Sequence, residues 1–279
     1  MTAALLSLII LGCTAEPGDS APAWDYDFTA FDAEVEAFLG DAGLAGATAV
    51  VVQRDHGTVH HGAYGSHEPG RISLIASSSK VMSAGVLVAL ADQGSLDLDA
   101  PVFDALSPWG EYKTDITAAQ LLSNSSGMVG LADDPTYLPY LCQYADSADL
   151  ADCAEAIYTA DDEDDRVPPD TAYRYGGGAW HLAGGIAQAV SGETWEQLVQ
   201  EIYGDPCGLE ATGYRNHYTQ AFSEGGVDGA FSYPDFFDGD LGDLEQTDNP
   251  NIEGGAYTTA QDYGKILEIQ LTGGRCGDV

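Results

Sequence analysis

Positive charge is scarce in this sequence. Across 279 residues there are nine Lys plus Arg against 45 Asp plus Glu, a formal net charge of −36. Binding a polyphosphate needs a Lys/Arg surface, so a nucleic-acid partner is excluded. Anionic lipid repels such a chain, so any membrane contact has to come from a covalent anchor. The cysteines form no C-x-x-C pair, and the H-x-x-x-H spacing of His56 and His60 lies far from them in the sequence, so a structural zinc is not expected. G-x-x-x-x-G-K-[ST] and G-x-S-x-G are both missing, which argues against a P-loop and an α/β-hydrolase elbow. No internal repeat is present. Hydrophobic residues make up 44%, too many for a disordered chain and enough for one sizeable core. The acidity favours a soluble monomer and says nothing about fold.

Residues 1–12 read as a signal peptide. The apolar run Ala3 to Gly12 is too short to span a bilayer and suits an h-region. Ile10-Leu11-Gly12-Cys13 resembles a bacterial lipoprotein cleavage box, which makes Cys13 a candidate lipid anchor. An ordinary export signal with an incidental Cys is the alternative. Residues 13–27 read as a Gly/Pro/Ser/Asp tether, and residues 28–279 as the folded domain. The localisation expected is exported, periplasmic or cell-surface, and lipid-anchored. Four further cysteines allow three pairings. Cys142 with Cys153 closes a short local loop and is the pairing expected, leaving Cys207 with Cys276.

The domain reads as mixed α and β. Helical spacing is expected over Phe31–Leu39, Ser78–Gln93, Thr117–Ser123, Trp180–Ser191 and Trp195–Tyr203. Ala47–Val52 and Thr58–Tyr64 read as a hairpin about Asp55-His56-Gly57. Tyr257–Ile269 starts as a turn and continues as a helix. Asp161–Asp165 and Tyr233–Asn251 read as surface loops. Neither His56, His60 and His61 nor Asp238, Asp240 and Asp243 form a convincing metal set, because successive strand residues face opposite sides and no EF-hand pattern is present.

Chemistry enters at Ser77-Ser78-Ser79-Lys80. An S-x-x-K pair places both side chains on one helical face, one turn apart. A serine hydroxyl needs a neighbouring base to become a nucleophile. Ser77 has the right offset to Lys80; Ser78 and Ser79 do not. Tyr173-Arg174-Tyr175-Gly176-Gly177-Gly178 brings a second proton carrier on a Gly-rich loop, whose hydroxyl can act as acid or base beside a lysine ammonium.

With these elements in order, the chain resembles the serine β-lactamase-like hydrolases: class C β-lactamases, penicillin-binding D-alanyl-D-alanine peptidases and related esterases. The resemblance runs from about Phe31 to the last residue. It rests on Ser77–Lys80, on Gly94-Ser95-Leu96-Asp97-Leu98-Asp99-Ala100-Pro101-Val102 and on Leu121–Met128, with Asn124 where His is commoner. Pro169–Thr171 with Tyr175-Gly176-Gly177, Pro206–Leu209 and Gly254–Asp262 complete it. It implies an antiparallel sheet flanked by helices with a mainly helical subdomain. It also implies an acyl-enzyme on Ser77, proton handling by Lys80 and Tyr175, and Asn124 and Gly177 in the substrate and oxyanion region. The substrate implied is a small molecule or peptide bearing an ester or amide, with no cofactor. Gly177 departs from the family's Asn, which fits an esterase better than a β-lactamase. The family's third motif, a Lys/His-x-Gly strand, does not follow Gly254, so a fragment cut short at its C-terminus and a poor catalyst are expected. A non-catalytic, penicillin-binding-like surface module is the alternative.

Overall fold

The computed structural model describes residues 26–145, 148–218, 241–243 and 246–276. The signal peptide, Cys13, most of the tether and Asp238 and Asp240 lie outside them, as does the Asp243 side chain.

Helix α1 (Thr29–Ala42) ends at Gly43, whose φ of 66° supplies the left-handed cap. It lies against a hairpin of β1 (Gly46–Gln53) and β2 (Gly57–Gly65), paired antiparallel with a bulge between Val51 and Val52. His60 of β2 meets Asp32 of α1 at 2.8 Å, and Phe28 stacks on its ring. His60 is therefore held by a carboxylate and an aromatic ring, and the described residues contain no metal-ligand cluster. The expected hairpin and opening helix are both present.

A second, three-stranded antiparallel sheet has the order β3 (Ser73–Leu74), β5 (Ala256–Thr258), β4 (Gly213–Tyr214). It leads directly into the helical part of the molecule. Those helices are α2 (Ser79–Asp92), α3 (Val102–Leu106), α4 (Ala118–Leu122), α5 (Leu150–Tyr158), α6 (Gly177–Ser191), α7 (Trp195–Val199) and the turn α8 (Asp205–Cys207). Helix α9 (Ala260–Thr272) returns to cover the β1–β2 hairpin. Thr117 caps α4 through a full capping box with Gln120. Helix α7 passes into a wide turn at Gln200–Gly204, so the regular helix expected to Tyr203 stops at Val199.

The core is built on α2 and α6. Met82, Val86 and Leu87 of α2 and Leu182 and Ile186 of α6 are fully buried. Each such side chain contributes roughly 2 kcal/mol by leaving water. Gly185 lets α5 approach, because a Cβ there would collide with Ala154. Asp262, on the first turn of α9, is buried and accepts from the backbone N–H of Glu210 (2.9 Å) and Ala211 (2.8 Å). The Asp of the Gly254–Asp262 motif is therefore a tie between α9 and the segment entering β4.

Two expected surface loops are partly interior. Asp162 is buried against Lys113 at 2.6 Å and accepts from the Tyr140 hydroxyl, while its acidic neighbours Asp161, Glu163, Asp164 and Asp165 are exposed. Asn249 and Asn251 are also fully buried. Their amides donate to the carbonyls of Cys142, Gln143 and Ala145.

Disulfides join Cys142 to Cys153 and Cys207 to Cys276, with Cα atoms 5.6 and 4.9 Å apart. Non-reducing peptide mapping of exported protein is expected to find these two pairs and no free thiol among the four residues. Opening the Cys142–Cys153 bond alone is expected to lower stability by about 3 kcal/mol in the unfolded-chain entropy model. A Cys142→Ser/Cys153→Ser protein with an unchanged urea midpoint would contradict this.

Candidate active site

Ser77 sits in a single 3-10 turn, Ala76–Ser78, immediately before α2, rather than in the helix itself. Ala76 adopts φ 45°, a left-handed conformation that costs a non-glycine residue roughly 1–2 kcal/mol. The turn holds because Ser79 is fully buried and bridges two backbones. Its hydroxyl donates to Ala76 O (2.5 Å) and accepts from the N–H of Ala256 in β5 (3.0 Å). Ser79, which lacks the offset for chemistry, thus positions the serine that has it. Ser83 supports the same side of α2 by donating to Ile252 O at 2.6 Å.

Tyr175 reaches the site from the loop before α6. That loop is pinned by Arg174 N–H to Asn124 O (2.8 Å) and by Leu131 N–H to Tyr175 O (2.7 Å). Ser125 and Gln120 both hold Asp170 at 2.7 Å, tying the loop to α4.

The three side chains converge. Ser77 is exposed, while Lys80 and Tyr175 are half-buried. The Lys80 ammonium donates to Tyr175 Oη (2.9 Å), to Glu253 O (2.7 Å) and, more weakly, to Ser77 Oγ (3.3 Å). Ser77 Oγ and Tyr175 Oη are themselves hydrogen-bonded. Burial pushes the Tyr175 phenol up, but bonds from Lys80 and Ser77 and the lysine charge outweigh it, and the pKa falls below the usual tyrosine value. With all three ammonium protons committed, the phenol oxygen is the acceptor placed to take the serine proton.

Asn124 and Gly177 sit beside this group without lining it equally. Asn124 is buried at φ 57°, and its Oδ1 accepts from Trp180 Nε1 at 3.1 Å. Its amide is therefore engaged in holding α6. Gly177 is the first residue of α6, packed against Gln143 and Glu253 so closely that a side chain there would displace Gln143. Sequence reasoning passed over Ser79, Gln143, His181, His217, Asn249, Asn251 and Glu253. His181 within the apolar Trp180–Ser191 stretch and Glu253 before two glycines were the available signals: each is a polar residue where the pattern demands an apolar or small one.

The Beta-lactamase family model matches residues 31–275. A candidate beta-lactamase from Bacteroides dorei is 28% identical with a TM-score of 0.66, covering 91% of this chain and 66% of its own. Penicillin-binding protein 4 of Amycolatopsis lactamdurans is 27% identical over 158 residues, 55% of this chain and 39% of that protein. A D-stereospecific amidohydrolase from Streptomyces sp. shares the fold at 19% identity, with a TM-score of 0.62 over 91% of this chain and 75% of that one. The chain belongs to the Beta-lactamase family of serine-hydrolase-like proteins. It spans about two fifths of the length of the curated relative and just under two thirds of the Bacteroides dorei chain.

Proposed function

We propose that the protein is an exported serine hydrolase that cleaves an ester or amide through an acyl-enzyme on Ser77. The mutual contact of Ser77, Lys80 and Tyr175 carries this reading. Ser77 Oγ attacks the substrate carbonyl carbon while its proton passes to Tyr175 Oη. The Lys80 ammonium keeps Tyr175 receptive and stabilises the charge that builds on the oxygens. Tyr175 then returns the proton to the leaving alcohol or amine, and a water reverses the sequence to release the acid. Export is supported by the two disulfides, which fit an oxidising compartment. No helix among the described residues is long and apolar enough to cross a membrane. Anchoring through Cys13 is proposed from the sequence alone.

The test is covalent labelling. The protein is treated with a fluorophosphonate and with a fluorescent penicillin, digested and mapped by mass spectrometry. One adduct, on Ser77 and absent from Ser77→Ala, is the expected result. Labelling elsewhere, or equally in Ser77→Ala, overturns the assignment; complete inertness would favour the non-catalytic surface module.

A further inference from the structure

Behind the Lys80 ammonium lies a group of buried polar side chains that the acylation steps above do not use. Glu253 gives its backbone carbonyl to Lys80 at 2.7 Å and turns its side chain into the interior. Both carboxylate oxygens are buried without a hydrogen-bond partner. His181, fully buried in α6, brings Nδ1 to 3.7 Å from Glu253 Oε2. Gln143 Oε1 and His217 Nδ1 are buried and unpartnered as well. Gln143 packs beside Glu253 at Gly177, and His217 borders Gly254.

The hydrogen bonds determine where one proton must be. Asn249 Nδ2 donates to Cys142 O (2.9 Å) and Ala145 O (2.7 Å), which sets its amide orientation. Its Oδ1 therefore accepts from His181 Nε2 at 3.0 Å, so Nε2 carries a hydrogen. A bare Nδ1 lone pair facing an ionised carboxylate oxygen in a buried site would leave both groups unsatisfied and repelling. A proton between Nδ1 and Oε2 removes the conflict.

We propose that Glu253 and His181 form a buried proton-holding pair that positions Lys80 and Tyr175 and sets the charge in which they work. The proposal deepens the serine hydrolase reading and rests on it. Glu253 has two attachments: its carboxylate is held by His181, and its carbonyl holds the lysine. Fixing the first fixes the second. Burial pushes the Glu253 carboxyl up, but the nearness and charge of His181 and the charge of His217 bring it below the usual range, so the carboxylate is ionised. That negative charge acts on Tyr175 against the lysine, keeping the phenol oxygen a better proton acceptor than Lys80 and Ser77 alone would leave it. The groups facing Tyr175 are Lys80, Ser77, Glu253 and the ring of Tyr173; those facing Glu253 are His181, His217, Tyr144, Tyr175 and Tyr214. Ser77 Oγ is bonded to Tyr175 and Lys80 and not to Glu253 or His181, so the latter two are positioning residues.

The experiment reads Tyr175 itself. The full chain is prepared with ring-13C tyrosine, and the Tyr175 resonance, assigned by its loss in Tyr175→Phe, is titrated by NMR. In Glu253→Gln its midpoint is expected to fall by about one pH unit, the effect of removing a nearby like charge. His181→Leu is expected to move it the same way, because a buried carboxylate without its partner takes up a proton. An unmoved midpoint in a natively folded variant of either kind overturns the proposal. In the wild type at neutral pH, 15N spectra of His181 are expected to show a proton shared at Nδ1; a bare Nδ1 overturns it without any substitution. Fluorophosphonate labelling is read in the same samples. A wild type that fails to label at Ser77 refutes the hydrolase reading and leaves the titration result to stand or fall separately.

Discussion

Replacing Tyr175 by Phe is expected to slow phosphonylation of Ser77 by roughly 10²–10⁴-fold, the contribution of a positioned acid–base group. The substitution keeps the ring, its stacking with Tyr173 at 6.4 Å and its place over the Lys80 ammonium at 4.6 Å from the ring centroid. It removes only the oxygen bonded to both Ser77 and Lys80. The pH dependence gives an independent check. Because the Tyr175 pKa is lowered, the wild-type rate is expected to rise with pH and level off below the ordinary tyrosine value of about 10. Deprotonation creates the base, so the lower the folded pKa, the lower the pH at which the plateau begins. Tyr175→Phe should lose that rise altogether. Stopped-flow labelling of the two proteins between pH 5 and 11 decides the matter, and a variant within about threefold of wild type at every pH would remove Tyr175 from the proton path.

Asp162→Ala is expected to lower folding stability by roughly 3–5 kcal/mol, the range for removing one partner of a buried ion pair. The side chains of Lys113 and Asp162 are only 2% and 1% exposed, so water does not replace the missing partner. Burial already pulls the Lys113 pKa down, and the bond and charge of Asp162 are what oppose it. The Tyr140 hydroxyl loses the acceptor of its proton by the same change. Tyr140 packs under Gly178, at the start of α6, so the loss reaches the loop that presents Tyr175. Urea unfolding followed by far-UV circular dichroism measures it. Replacing both partners by apolar residues of similar size, Lys113→Met with Asp162→Leu, should recover much of the loss, because no charge is then stranded. A single Asp162→Ala variant within about 1 kcal/mol of wild type would show that water reaches the pair.

How much of this was legible in the sequence varied with the range of the interaction. The opening helix and hairpin, the long helix Ser79–Asp92 and the short helix that follows Thr117 are local patterns of apolar spacing and end residues, and each was readable from a dozen neighbours. The Ser77–Lys80 offset was readable for the same reason: three residues on a helical path bring two side chains together whatever the rest of the chain does. Asp162 misled because five consecutive acids look uniformly solvated. Its burial depends on Lys113, which is distant in sequence and carries no local sign of being interior. The Tyr233–Asn251 stretch misled similarly, since Asn249 and Asn251 are polar residues buried to serve carbonyls of another segment.

Composition by itself argued against a polyphosphate partner and supplied enough apolar mass for a core. Ordered motifs determined its family and which serine, lysine and tyrosine to look at. Tertiary structure alone decided what surrounds them. Ser79 became a strut because β5 presents the Ala256 N–H to it, and Asn124 became a support for Trp180 because α6 packs there. Glu253 came to stand behind Lys80, facing His181 across the interior, through the approach of three segments far apart in the chain. Spacing along a helix or strand is written in a few consecutive residues. A buried charge's partner is set by which elements pack together, and that depends on the burial of the whole chain at once.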